Sequence, residues 1–228
     1  MPAVSKIIAG SLALVIGAGV LGLAIPRTSA AFFLLMVEPI RQKLQKGDAV
    51  PRDDLLKLHG TQDAVLSFSD GPGQLYLARS RTELAIAWSY PKTSKENATW
   101  REAAERSVER AVSMAPADPY AWVQLTYLRL LNGRDEHGAK DALVMSLLTG
   151  PNEQPLVFRR IPYAIQVWDL LSADERATMN DQIRWAERLD RQRLVALAER
   201  GGKSIKVILP AVAEDFPRFE EFIKVLNK

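Results

Sequence analysis

The sequence predicts an all-α protein, and three observations carry that expectation. Apolar residues recur at spacings of three and four, as in Ile161, Ala164, Ile165, Trp168 and Leu171, and nothing alternates strand with helix. Proline, glycine and capping residues punctuate these stretches at helix-length intervals. The third observation lies at the amino terminus, where residues 7–25 carry no charge. As a helix, at about 1.5 Å per residue, they span about 28 Å, close to the hydrocarbon thickness of a bilayer.

The amino-terminal run reads as an uncleaved membrane anchor within residues 1–30. A cleaved signal peptide is the competing reading, with Lys6 as its charged leader and Thr28-Ser29-Ala30 as the cleavage site, but the run exceeds the usual 7 to 15 apolar residues. Ala9, Ala13 and Gly17 recur at every fourth position and would let a second membrane helix approach closely. Charge counting across the span, Lys6 against Arg27, Arg41, Lys43 and Lys46, favours a cytoplasmic body. The short leader favours a signal-anchor with the body outside the inner membrane, and the reading leans that way.

A dinucleotide fingerprint lies in the same run. Gly17, Gly19 and Gly22 match G-x-G-x-x-G, with Glu38 downstream as a candidate ribose ligand. Pro26 would interrupt the helix such a site needs, no glycine turn separates that helix from the supposed second strand, and nothing downstream alternates strand and helix as a doubly wound sheet requires. An oxidoreductase built on these residues is therefore the disfavoured alternative.

Charge and cysteine content exclude further classes. The 228 residues hold 30 Lys and Arg against 27 Asp and Glu, and no cysteine. Removing residues 1–30, which contain Lys6 and Arg27 and no acid, leaves 28 basic against 27 acidic residues, no electrostatic case for nucleic acid. Without cysteine there is no disulfide framework, thiol nucleophile or cysteine zinc site. His59 and His137 lack partners at metal-ligand spacing, so no metal and no cofactor is expected.

The body then reads element by element. Residues 31–73 form a helical linker region, with a connector at 49–53, apolar positions Leu55, Leu56, Leu58, Val65 and Leu66, and a turn cluster at 69–73. A helix is expected over 75–90, ended by Pro91, and a polar stretch at 92–97 separates it from the next. Past the repeats, a helix over 156–171 contains Pro162, and Ser172 with Glu175 forms a capping box. One long helix is expected from there to about Glu199, closed by Gly201 and Gly202, and the apolar tail is broken by Pro210 and Pro217.

Between these lies the most specific spacing in the chain. Ala104 and Ala111 are followed by Pro116, Trp122, Leu125 and Gly133, and a second unit carries Ala139, Leu143, Ser146 and then Pro151, 35 residues after Pro116. This pattern resembles the tetratricopeptide repeat, whose period is about 34 residues. The resemblance covers about residues 100–151 and degrades on both sides, since Gln154-Pro155-Leu156-Val157 stands where a Trp-led helix belongs. It implies helical repeats over 74–155, with residues 156–228 capping the stack. It also implies a concave groove lined by Tyr120, Val123, Gln124 and Tyr127, suited to a peptide or partner helix.

Other chemistry has simpler readings. Arg184, Arg188 and Arg191 are interleaved with Asp181, Glu187 and Asp190 at intrahelical pairing distance. Trp88, Trp122, Trp168 and Trp185 sit in apolar periods and read as packed residues. Arg159 and Arg160 have only Glu153 nearby. Together these features describe a single amino-terminal transmembrane helix followed by a short, divergent tetratricopeptide-like domain. The expected function is a non-enzymatic scaffold in the bacterial cell envelope, binding a protein partner, itself a membrane or envelope protein. A narrower version is an accessory to cell-surface polysaccharide synthesis or export.

Overall fold

The computed structural model describes residues 34–68, 72–213, 220 and 222–223. Every element among them is a helix, and no strand occurs in the described residues. The chain divides into two compact units, and the division falls between Trp100 and Arg101.

Among the described residues, the first unit contains α1 (Glu38–Lys46), whose first turn is closed by Glu38 accepting from Arg41 at 2.7 and 2.8 Å. Gly47, at φ 80°, takes the left-handed conformation that ends α1. Then come α2 (Arg52–Phe68) and α3 (Gly73–Trp88). These two pack antiparallel: Asp63 on α2 meets Arg79 on α3, and His59 meets Glu83. Leu55, Leu58 and Val65 line the inner side of α2 at helical spacing, and Leu77, Leu84 and Ala87 are buried on α3.

Helix α4 (Lys95–Met114) opens earlier than the polar stretch at 92–97 suggests. Ser94 Oγ accepts from the Asn97 N–H at 3.1 Å, and the buried Asn97 side chain donates to the Ala87 carbonyl at 2.7 Å. The polar residues thus begin the helix and tie it to the end of α3.

The second unit holds the remainder of α4, then α5 (Pro119–Asn132), α6 (Glu136–Thr149), α7 (Gln154–Val167), a 3₁₀ turn (Trp168–Leu170), α8 (Ala173–Leu189), α9 (Arg191–Ala198) and α10 (Lys203–Ala213). Asp118 accepts from the Tyr120 and Ala121 N–H groups and Pro119 takes the first helical position, a strong start for α5. Asp135 opens α6 by accepting from Gly138 N–H at 2.7 Å. Helices α5 and α6 form an antiparallel pair, α7 packs on both, α8 packs on α7, and α10 lies against α7, α8 and α9. At the end of α6 a Cβ on Gly150 would fall 2.6 Å from Pro119 Cγ, so only glycine allows this approach. Ala104, Ala111, Ala139 and Ser146 are fully buried. One continuous interior runs from Ala139 to Phe222.

Several expectations are corrected. No helix among the described residues is long and apolar enough to cross a membrane. The longest, α4 with 20 residues, bears charges throughout its length, including Arg101, Glu105 and Glu109. The described residues therefore supply no transmembrane element, and the single-pass inner-membrane location drawn from it is not supported. Residues 7–25, with Ala9, Ala13 and Gly17, lie outside the described residues. The expected long helix after Ser172 breaks at Asp190, where φ is −160° and ψ 88°, and Asp190 then caps α9 by accepting from Arg193 N–H at 3.0 Å. Pro162 and Pro210 lie inside α7 and α10 without ending them. Trp88 is 44% exposed, whereas Trp168 and Trp185 pack partly buried against the interior.

Candidate functional site

The expected groove residues fall on α5, and only some reach its surface. Tyr120, Gln124 and Tyr127 recur at positions i, i+4 and i+7 and share a face. Tyr127 stacks on Tyr163 of α7, with ring centroids 5.7 Å apart and an interplanar angle of 29°. The Tyr120 hydroxyl donates to Glu153 Oε2 at 2.9 Å, just before α7 begins. Three tyrosines therefore join the first helices of consecutive helix pairs. Val123 is a correction: it is 1% exposed and faces the interior, where no partner can reach it. Gln124 is buried too, and its Nε2 has no hydrogen-bond partner.

The electrostatics of this face keep its phenols protonated at neutral pH. The hydrogen bond to Glu153 pushes the Tyr120 hydroxyl above its ordinary range. Burial raises Tyr127, opposed by the nearby Arg101 guanidinium, and burial raises Tyr163, opposed by Arg159. Arg159 is exposed, and its charge also acts on Tyr120. Arg101 Nη1 donates to the Leu131 carbonyl at 2.9 Å, while its Nε is buried without a partner. Sequence reasoning missed Tyr163 and Arg101. The available signal was periodicity, since Tyr163 follows Tyr127 by 36 residues, close to the proline spacing.

Beneath this face lies a fully buried guanidinium. Arg160 Nε donates to Ser146 Oγ at 3.1 Å, Nη1 to Gln182 Oε1 at 3.3 Å, and Nη2 to the Ser146 and Gly150 carbonyls. Gln182 Nε2 in turn donates to the Pro151 carbonyl at 2.9 Å. Burial pushes Arg160 down to about 10, with Glu153 and Tyr120 opposing the shift, so it stays ionised at neutral pH. It fastens the carbonyl end of α6 to α7 and α8, where the α6 dipole also favours a cation.

A second polar cluster lies in the first unit, where His59 is more than a surface residue. Its Nε2 is 3.1 Å from Glu83 Oε1 and its Nδ1 is 3.5 Å from Asp63 Oδ2. Arg79 bridges the same carboxylates, at 2.9 Å from Glu83 and 2.7 Å from Asp63, and Trp100 meets the His59 ring edge-to-face at 5.0 Å. Glu83 is 1% exposed, and its Oε2 has no partner. The cluster clamps α2 to α3. His137 is exposed. Among the described residues no group of three or more His, Cys, Asp and Glu side chains is placed to hold a metal.

Of the dinucleotide fingerprint, Gly17, Gly19 and Gly22 lie outside the described residues, and Glu38 is engaged by Arg41 and Gln42 in the first turn of α1. The serial arginines of α8 and α9 pair locally, Arg184 with Asp181 and Arg191 with Glu187. Compared with known proteins, the chain significantly matches no family model, no curated protein and no solved structure.

Proposed function

We propose that the second unit is a tetratricopeptide-like scaffold without catalytic chemistry of its own, holding a segment of a partner protein against the face shared by α5 and α7. The observation that carries this reading is the Tyr127–Tyr163 stack, which joins two helices separated in sequence by α6. Rigid aromatic side chains offer contact area with little rotamer entropy to lose on binding. Arg159 is exposed beside them. Arg160 and the Gly150–Pro119 contact fix the backbone underneath, so the face is ordered before any partner arrives.

The test is site-specific photo-crosslinking of the full-length protein in its native cell. A benzophenone side chain at position 159 is expected to give a discrete adduct that disappears when Tyr127 and Tyr163 are both changed to Ala. The same probe at the exposed position 199 on the carboxy-terminal side of α9 is the control. If position 159 captures nothing beyond what position 199 captures, the reading fails.

A further inference from the structure

One asparagine of the chain is followed by glycine, and the fold shields it. Asn132 ends α5 and Gly133 follows, whereas Asn97, Asn152, Asn180 and Asn227 precede Ala, Glu, Asp and Lys. A side-chain amide directly before glycine lies within reach of the glycine nitrogen through a five-membered ring, and glycine has no Cβ to obstruct the approach. In the structure both reacting groups are occupied. Gly133, at φ 64°, donates its N–H to the Arg129 and Leu130 carbonyls at 3.0 and 3.2 Å. Asn132 Nδ2 donates to Glu105 Oε2 on α4 at 2.5 Å. The turn still lies at the surface: Gly133 is exposed and Asn132 half-buried, at a helix end, where backbone hydrogen bonds open most readily.

We propose that Asn132 is a deamidation site gated by the last turn of α5, and that its product unlocks α5 from α4. When the turn opens, the Gly133 nitrogen loses its proton to solvent and bonds to Asn132 Cγ. The Cγ–Nδ2 bond breaks, Nδ2 leaves as ammonia, and a succinimide closes. Water then adds to one ring carbonyl and breaks its bond to the Gly133 nitrogen. Cleavage at Cγ gives aspartate; cleavage at the main-chain carbonyl gives isoaspartate, with the chain continuing through the side chain. Each product carries a carboxylate at position 132, and the donor to Glu105 is gone. The surroundings are already acidic: Glu105, Glu109 and Asp135 lie 3.9, 3.4 and 3.8 Å from Arg129, and Arg134 is engaged by Glu102 at 2.7 Å. An attraction between α4 and α5 thus becomes a repulsion.

The experiment incubates the full-length protein in mildly alkaline buffer, native and in guanidinium chloride. Mass spectrometry of the tryptic peptide covering 130–134 follows the change from amide to acid, and chromatography separates the aspartyl and isoaspartyl forms. Both forms are expected from the denatured chain, while Asn152, exposed and followed by Glu153, stays an amide over the same period. The native protein is expected to react at least about tenfold more slowly, because the two cap hydrogen bonds and the bond to Glu105 must open first. Asn132→Gln, which enlarges the ring, is expected to abolish the reaction. Asn132→Asp, one of the products, is expected to unfold at a lower temperature than Asn132→Ala, which merely loses the hydrogen bond. In a Glu105→Gln background that difference is expected to shrink by at least about half, the rest arising from the α5 dipole, which a carboxylate at this end opposes.

An amide that persists at position 132 in the denatured chain, or Asn152 reacting as fast, overturns the site. Equal rates in the native and denatured protein overturn the gating. An Asp variant as stable as the Ala variant, or one whose deficit ignores Glu105→Gln, overturns the unlocking of α5 from α4.

Discussion

Arg160 stays in the interior because each of its three guanidinium nitrogens donates to an acceptor. None of those acceptors is a carboxylate; they are the Ser146 and Gly150 carbonyls, Ser146 Oγ and Gln182 Oε1. Arg160→Met fills similar volume yet removes the charged donor from two main-chain carbonyls at the end of α6, leaving them only the Gly150 N–H at 3.2 Å and the Glu153 N–H at 3.3 Å, and it also unpairs Ser146 Oγ and Gln182 Oε1. The expected loss is about 3 kcal/mol, read as a lower urea midpoint with an unchanged m value. Arg160→Lys, which cannot span the same acceptors from a single ammonium, is expected to recover less than half of it. A loss below about 1 kcal/mol for the methionine variant would show that apolar packing replaces the guanidinium, as happens at some buried charges. In the sequence this residue was visible only as half of an Arg-Arg pair. Adjacent helical positions diverge by about 100°, so one arginine entered the interior while Arg159 went to solvent, and the dipeptide does not say which.

Among the elements, boundaries set by side-chain caps were the most legible. The capping box at the start of α8 was read from Ser172 and Glu175 and is present, with Ser172 N–H donating to Glu175 Oε2 at 2.7 Å and Glu175 N–H to Ser172 Oγ at 3.3 Å. The break at Asp190 was not read, because an aspartate among arginines looks equally like an ion-pairing surface residue until its backbone leaves the helix. The Glu175 carboxyl is held below its ordinary value of 4.5, first by the Ser172 N–H and then, against some desolvation, by the Ser172 hydroxyl and Lys140. Since the folded-state value lies below the unfolded one, the contribution is complete above about 4.5 and is lost as the pH falls through the lowered value. Glu175→Gln keeps the capping geometry and removes the charge. Its stability is expected to fall about 0.5 kcal/mol below the parent at pH 7, with the gap closing towards pH 3. A gap independent of pH across chemical denaturation curves would mean that the charge contributes nothing there.

At the scale of the molecule, the sequence-level repeat spacing placed Tyr120 and Tyr127 but stopped at Pro151, where Gln154-Pro155 replaced the expected Trp-led start and hid the helix that supplies Tyr163. Val123 escaped the same reasoning because a repeat register fixes spacing, whereas the packing of neighbouring helices decides which flank of α5 is covered. The excess of three positive charges over the whole chain is likewise legible as a number and not as a surface. Arg41, Arg79, Arg129 and Arg134 each lie in an ion pair with a carboxylate, as do Arg184, Arg191, Lys140 and Lys203. Polyanion binding draws its free energy from releasing counterions as several unpaired cations meet successive phosphates, and paired arginines must first give up their carboxylates. The full-length protein is therefore expected not to retard a DNA duplex of about 30 base pairs in a gel-shift assay at about 0.15 M salt. Retention there, with an affinity falling as about the fifth power of salt concentration, would require five or more cations acting together, and the ion-pair account of the charge would be wrong.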